Sequence, residues 1–363
     1  MNFQEIIRKP TLIVDTARVE RNIARMVKRC HEAGAVFRPH FKTHQSGLLA
    51  ELFRQKGVEQ ITVASVSMAR YFAQHGWHDI TIAFPFNIRE ISELKALEQY
   101  TKINLVISSA DTLAAFQESL TNPYDLFIKI DTGYGRAGIE AGQTDEVEKL
   151  FSLFQHSQNT RLAGLLAHGG HTYRARGIHE IQQIADEGHQ KLDALRKKLD
   201  PGLLISWGDT PSCSKAAMKY YFDEWRPGNF VFYDLMQYHL GSCSLDDIAV
   251  VVACPVVETQ KQKNRIVIYG GAIHFSREFI EADNDFRLYG YVVRFTETGW
   301  TAPVAGAWLE SLSQEHGIVR TSHELNDLKT GDIIGILPVH SCLTVSALGQ
   351  MLDLNGSLIP CMK

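Results

Sequence analysis

The sequence predicts an α/β fold, a parallel (β/α)8 barrel of the TIM type followed by a smaller, mostly β C-terminal domain. Three observations carry this expectation. From about residue 35 to 234, eight short apolar runs alternate with segments of helical period. Polar clusters of unusual composition stand at the carboxyl ends of those runs, where barrels place their active residues. After residue 240 the strand-like runs continue but helical patterning becomes scarce.

The eight runs are residues 35–42, 61–65, 79–84, 102–108, 125–131, 161–168, 203–208 and 225–233. Between them, "SGLLAELFRQKG", "REISELKALEQY" and "IHEIQQIADEGHQKLDALRKKL" repeat apolar residues at i, i+3, i+4 and i+7, the spacing of a helix with one buried face. An open doubly wound sheet is the competing architecture, but no GxGxxG follows the first run to support dinucleotide binding. "DIAVVVACPVVET", "NRIVIYGG", "LYGYVVRF", "GIVRT" and "GDIIGILPVHSCLTV" are the strand-like runs of the second part. The expected division is therefore 1–240 for the barrel and 241–363 for the β domain. A further strand and helix, "TLIVDTARVERNIARMVKRC", precede the barrel, and the sequence leaves open which domain they join.

Composition narrows the function. The chain has 363 residues, 45% hydrophobic and 21% charged, as in ordinary globular domains. A net charge of -4 supplies no global basic field, so neither nucleic acid nor an anionic membrane is the expected partner, and a small molecule is. The start lacks a signal-peptide pattern and no apolar run approaches the ~20 residues of a membrane span, which suggests a cytoplasmic protein. Six scattered cysteines in so long a chain suggest buried thiols rather than a disulfide framework.

"RPHFKTHQS" (38–46) sets Lys42 among Arg38, His40 and His44 at the end of the first run. Burial or neighbouring cations disfavour an ammonium group, and a lysine so depressed becomes a nucleophile or Schiff-base former. A solvated loop lysine is the plainer alternative. "GDTPSCS" (208–214) offers Gly208, Thr210 and Ser212 before a helix, and "RPGN" offers Gly228 and Asn229 one strand away. Such groups bind phosphate at a helix N-terminus, although they also cap helices everywhere. A lysine and a phosphate cup together point to pyridoxal 5′-phosphate. His340 and Cys342, at i and i+2 in "PVHSCLTV", would share one face of a strand and make half of a zinc site. The alternative there is a buried cysteine beside an incidental histidine. His168 and His171 flank a glycine pair after the sixth run and could act as acid, base or ring contacts. His75, His78, His156, His179 and His189 fall on expected surfaces.

In order along the chain, "RPHFKTH" (38–44), "KIDTGYGRAG" (129–138), "HGGHTY" (168–173), "GDTPS" (208–212), "RPGNFVFYD" (226–234) and "HSC" (340–342) resemble the D-threonine aldolase and D-serine dehydratase family of pyridoxal-phosphate enzymes, whose barrel is related to that of alanine racemases. The likeness spans nearly the whole chain. Its first and last segments are the specific ones, whereas "KIDTGxGRxG" and "RPG" occur more widely among alanine racemases. The resemblance implies Lys42 as the Schiff-base lysine, with Arg136 near the ring hydroxyl and Tyr173 and Arg226 near the pyridine nitrogen. It places Thr210, Gly228 and Asn229 on the phosphate, and His340 and Cys342 on zinc or another divalent metal; His168 is a further expected cofactor contact. The implied substrate is a D-3-hydroxy amino acid, with Lys42 removing the α-proton and the metal taking the β-hydroxyl. In this family His-x-Cys accompanies dehydratases and His-x-Asp accompanies aldolases, so "HSC" favours D-serine dehydration, with retro-aldol cleavage as the alternative. Racemase activity and a non-catalytic cofactor carrier are further alternatives. Racemases carry a different lysine segment, and the added β domain speaks against a carrier. A homodimer is expected by analogy.

Overall fold

The computed structural model describes residues 3–97, 100–120, 122–154, 160–282 and 286–362. They form two compact units. One comprises residues 24–42 and 50–228, the other residues 1–23, 43–49 and 229–363. Thr11–Val14 pairs antiparallel with Val250–Gln260 and parallel with Gln350–Asp353, so the N-terminal strand joins the C-terminal strands.

The first unit is a parallel barrel of β1 (Val36–Phe37), β2 (Gln60–Val63), β3 (Asp79–Pro85), β4 (Lys102–Ile107), β5 (Tyr124–Asp131), β6 (Thr160–Ala167), β7 (Leu204–Trp207) and β8 (Glu224–Trp225). The strands pair in the order β1-β8-β7-β6-β5-β4-β3-β2, and a parallel bridge between His40 and Thr62 joins the ends. Two strands are shorter than the sequence suggests. β1 stops at Phe37 because Pro39 has no N–H to give a ladder. The chain beyond it still pairs on both sides: Arg38 and His40 N–H donate to Trp225 and Pro227 carbonyls, while Phe41 N–H donates to Thr62 O and Thr62 N–H to Pro39 O. Lys42 therefore lies in a turn after the strand and not within it. β8 ends at Trp225, ahead of Pro227, and Asn229–Val231 winds into a 3-10 turn.

Alternate side chains fill the barrel. One cluster is apolar, with Val106, Phe127 and Leu166 packed against Ala83 and Ala163. Another is charged. Arg38, nearly buried, donates through Nε to Glu224 Oε2 and through a terminal nitrogen to Asp79 Oδ1, each at 2.5 Å. Ser206 Oγ donates to Glu224 at 2.6 Å and accepts from Arg226 Nε at 2.6 Å.

The second unit is built on antiparallel pairing. Val250–Gln260, Arg265–Tyr269, His316–Arg320, Trp308–Leu312, Gly290–Val293 and Ile333–Pro338 pair in that order, and the last returns to the first, closing a ring. The helix Ser341–Leu348 follows its final strand. Of the six free cysteines, five are buried and Cys342 is partly exposed. Among the described residues no helix is long and apolar enough to cross a membrane.

Removing one partner of a buried ion pair strands the other charge, at a cost of about 3–5 kcal/mol. Arg38→Met should therefore lower stability to denaturant by about that amount, and Glu224→Gln added to it should restore part of the loss. Urea unfolding followed by circular dichroism checks both; equal stability of R38M and the parent would mean the pair carries no such load.

Candidate active site

The sequence clusters do come together at the carboxyl ends of the barrel strands, though with different partners than their neighbours in sequence suggest. Phe41 is fully buried, its ring 4.8–5.0 Å from those of Phe53, Phe72 and Trp77. That packing fixes the backbone from which Lys42 projects, and Lys42 itself is exposed. Its supposed cationic escort is absent. Arg38 is occupied by Glu224 and Asp79. His44 is held neutral, burial pushing its pKa down to about 3, and its Nδ1 accepts from Ser46 N–H. His40 is also driven well below its usual value, first by burial and then by Lys42, Arg226, His168 and Arg136. Its Nδ1 accepts from the Lys42 N–H at 3.3 Å.

Three cations, Lys42, Arg226 and Arg136, thus gather around His40 with His168. Arg226, fully buried, donates to Ser206 Oγ and to the Ala167 carbonyl, and burial brings its pKa down to about 10. His168 donates from Nδ1 to the Gly208 carbonyl, and burial followed by Lys129 and Arg136 keeps it neutral. His171, by contrast, feels burial and then Lys191 of the helix Ile178–Leu199, and is not drawn into the same set. Arg136 lies over the Tyr134 ring at 5.1 Å and lines a small cavity with Lys129, Asp131, Tyr134, Ala137 and His168.

The loops are shaped by residues that the sequence reading passed over. Asp131 accepts from the N–H groups of Gly133, Tyr134 and Gly135 at 2.7–2.9 Å, which folds "DTGYG" back on itself. Asp209 caps the helix Thr210–Lys215, accepting from Ser212 N–H, Ser212 Oγ and Thr172 Oγ1; its burial raises its pKa to about 6. An Asp followed by Thr-Pro is a helix-start signature, the signal by which Asp209 could be found in the sequence. The glycine pair of "HGGH" has a steric cause. A Cβ on Gly169 would come within 2.3 Å of the Trp207 ring, and one on Gly170 within 2.5 Å of the Tyr134 ring. Lys129 is the buried lysine of the site, held far below its usual pKa by burial, Arg226 and Arg136. The crowding sought at Lys42 is found there.

Thr210 Oγ1 is buried without a hydrogen-bond partner, and Thr210 N–H donates to Tyr173 Oη at 3.3 Å. Tyr173 is thus at this helix start. Gly208 is tight against Arg226, whose Nη1 would meet an added Cβ at 3.1 Å. Gly228 follows Pro227 in the same strand continuation. The Asn229 Nδ2 is engaged, donating to Asp234 at 2.6 Å and to Ser341 Oγ at 3.2 Å, while its Oδ1 is buried without a hydrogen-bond partner.

His340 and Cys342 are not on a strand. The strand ends at Pro338, His340 is the extended residue capping the helix Ser341–Leu348, and Cys342 lies in its first turn. Their side chains meet. Burial opposes charge on His340, but hydrogen bonds with Cys342 and Glu278 outweigh it and carry its pKa up to about 11. Glu278 Oε2 is 2.5 Å from His340 Nδ1. Cys342 Sγ is 3.2 Å from Thr43 Oγ1 and 3.6 Å from Asn229 Nδ2, while Asp234 accepts from Ser341 N–H. An imidazole and a thiol are suitable donors for zinc. Among the described residues no group of three His, Cys, Asp or Glu side chains could hold a metal. Of the outlying histidines, His75, His78 and His179 are exposed, His189 stacks on Tyr221, and His156 lies outside the described residues.

Burial lowers His40, His44 and His168 in the folded chain, His44 to about 3, whereas in the unfolded chain histidine protonates near pH 6.5. Unfolding takes up protons below that value, so stability should fall as pH drops from 7 to 5, with His44 alone contributing roughly 2 kcal/mol. His44→Asn, whose Oδ1 can still accept from Ser46, should flatten the urea-midpoint profile by about one histidine's share. An unchanged slope would show that His44 titrates normally.

Residues 14–235 match the family model of the alanine racemase N-terminal domain, and residues 249–352 match that of a serine dehydratase domain. The chain is 30% identical to D-threo-3-hydroxyaspartate dehydratase of Delftia sp. (strain HT23), over 92% of this chain and 91% of that one. It is 27% identical to D-serine dehydratase of Dictyostelium discoideum, over 96% and 94%. A solved structure of a D-threo-3-hydroxyaspartate dehydratase, a cysteine-to-alanine mutant in the metal-free form, superposes with a TM-score of 0.88 at 26% identity, covering 98% of this chain and 97% of that one. The chain therefore belongs to the family of D-serine dehydratases and D-threonine aldolases, in which an alanine-racemase-type barrel is joined to a serine dehydratase domain.

Proposed function

We propose that this protein is a lyase that uses pyridoxal 5′-phosphate and a divalent metal, zinc by the chemistry of its donors, to dehydrate D-serine or a β-substituted relative. The observation that carries the reading is the meeting of His340 with Cys342, an imidazole and a thiol from a strand-to-helix junction, in a chain whose relatives include named D-hydroxy amino acid dehydratases. Electron withdrawal at Cα is what the pyridoxal group supplies when bound, and neutralisation of a departing β-hydroxide is what the metal supplies.

The protein's own residues have separable tasks in this reading. Lys42 is exposed on an anchored backbone, as an amine must be to hold the cofactor carbonyl, and on release it is placed to take the α-proton. Thr210, through the unpaired Oγ1, binds the phosphate with Tyr173 and the backbones of Gly228 and Asn229. This moves Tyr173 from the ring nitrogen to the phosphate end. Arg226 is left as the donor at the ring nitrogen, with Arg136 at the ring hydroxyl and neutral His168 against the ring. His340 and Cys342 hold the metal; Thr43, whose hydroxyl meets Cys342, follows Lys42 directly in the chain. The α-proton and β-hydroxide leave as water, and hydrolysis of the resulting enamine returns that water as it yields ammonia and a 2-oxo acid. The barrel and β domain, 1–240 and 241–363 as units of sequence, would act as a homodimer, which analytical ultracentrifugation would register.

Two experiments test this. The cofactor-loaded protein is incubated with D-serine, D-threonine and D-3-hydroxyaspartate, with and without chelator. Ammonia with a 2-oxo acid, lost on chelation, is expected; glycine with an aldehyde would make the protein an aldolase, an enantiomer a racemase, and no turnover a carrier. Borohydride reduction of the loaded protein followed by peptide mass mapping should place the cofactor on Lys42, and Lys42→Ala should abolish both the adduct and the cofactor absorption band. An adduct on Lys129 would overturn the assignment.

A further inference from the structure

We infer that Glu278 is the positioning residue of His340, engaging Nδ1 so that the imidazole has only Nε2 to offer a divalent metal. The inference rests on the reading of His340 and Cys342 as metal donors. Glu278 Oε2 lies 2.5 Å from His340 Nδ1, which makes Nδ1 a donor to the carboxylate and leaves Nε2 as the nitrogen whose proton a metal would displace. Histidines that bind metals commonly give their second nitrogen to a carboxylate, which fixes both tautomer and ring orientation.

Glu278 is itself held in place. Its N–H donates to Ser276 Oγ at 3.2 Å, and the next residue, Phe279, lies under the Arg287 guanidinium at 4.6 Å with the Tyr289 ring at 5.8 Å. Between the two donors, Ser341 gives N–H and Oγ to Asp234 at 3.0 and 3.3 Å. The backbone joining His340 to Cys342 is thus fixed by Asp234, and the ring by Glu278. A surface ion pair alone would add at most about 1 kcal/mol of stability and would leave metal affinity unmoved.

The test is Zn2+ titration of the chelator-stripped full-length protein against a chromophoric competitor, for the parent, Glu278→Ala, Glu278→Gln, His340→Ala and Cys342→Ala, with melting temperatures of the stripped proteins as the folding control. E278A should bind Zn2+ about 10–100-fold more weakly. E278Q, whose amide oxygen still accepts from Nδ1, should lose less while melting like the parent, and it carries the test should E278A fold poorly. Zn2+ affinity in E278A and E278Q within twofold of the parent, with H340A impaired, overturns the positioning role alone. An E278A loss as large as that of H340A would make Glu278 a ligand and also overturns it. Parent-like affinity in both H340A and C342A removes the metal reading, and this inference with it.

Discussion

Barrel closure rests on one short stretch, residues 36–41, that hydrogen-bonds in two directions at once. Arg38 and His40 donate to the β8 side, and Phe41 with Thr62 completes the β2 side. Because the stretch is extended, its side chains alternate. Arg38 and His40 share one direction and enter the charged interior, while Phe41 goes the other way, into an aromatic cluster. Each of these placements then makes a demand. An arginine inside a barrel needs carboxylates, which Glu224 and Asp79 supply at the first positions of β8 and β3. A histidine inside it must stay neutral. A phenylalanine locked against Phe53, Phe72 and Trp77 leaves the following residue no choice but to turn outward, and that residue is Lys42.

The carboxyl end of the barrel is consequently rich in positive charge with little free negative charge to offset it. Arg226, Lys129, Arg136 and Lys42 all influence the neutral histidines there. The nearby acids are engaged on other work: Asp131 on three loop N–H groups, Asp209 on a helix start. Because these carboxylates are tied to backbone and hydroxyl donors, the field at this end favours an anion carrying more than one charge. A phosphate ester together with an amino acid carboxylate would answer that field; a polycation would not.

Most of the fold was legible because parallel barrels announce themselves by alternation, and each expected strand lies on an observed one. What was not legible was pairing in space. "RPHFKTH" lists four basic side chains in sequence, yet Arg38 is taken up by Asp79 and Glu224, distant in sequence, and His44 is buried and neutral. Lys129 sits two residues before an aspartate, which gave no hint of isolation, and only burial beside Arg226 and Arg136 depresses it. Asp209 was readable as a helix cap but not as the anchor of the "HGGHTY" loop, because Thr172 is 37 residues away. Glu278, 62 residues from His340 and in no recognisable motif, could not have been found from sequence at all.

The "HSC" segment shows why the right residues can be chosen for the wrong geometric reason. Side chains at i and i+2 of a strand do share a face, but their Cα atoms stand about 6.6–6.8 Å apart along it. Two donors of one tetrahedral zinc, with bonds of about 2.0–2.3 Å, must come to within roughly 3.5–4 Å of each other. A strand would have held the imidazole and the thiol side by side without letting them converge unless both bent inward. The chain instead changes conformation between them: His340 is extended, Ser341 and Cys342 are helical, and the bend closes the distance until the two side chains hydrogen-bond. That bend needs a fixed residue at its apex, which is why Ser341 gives both its N–H and its hydroxyl to a buried aspartate that lies more than a hundred residues earlier. The spacing His-x-Cys is therefore better understood as the length of a strand-to-helix corner than as the period of a strand.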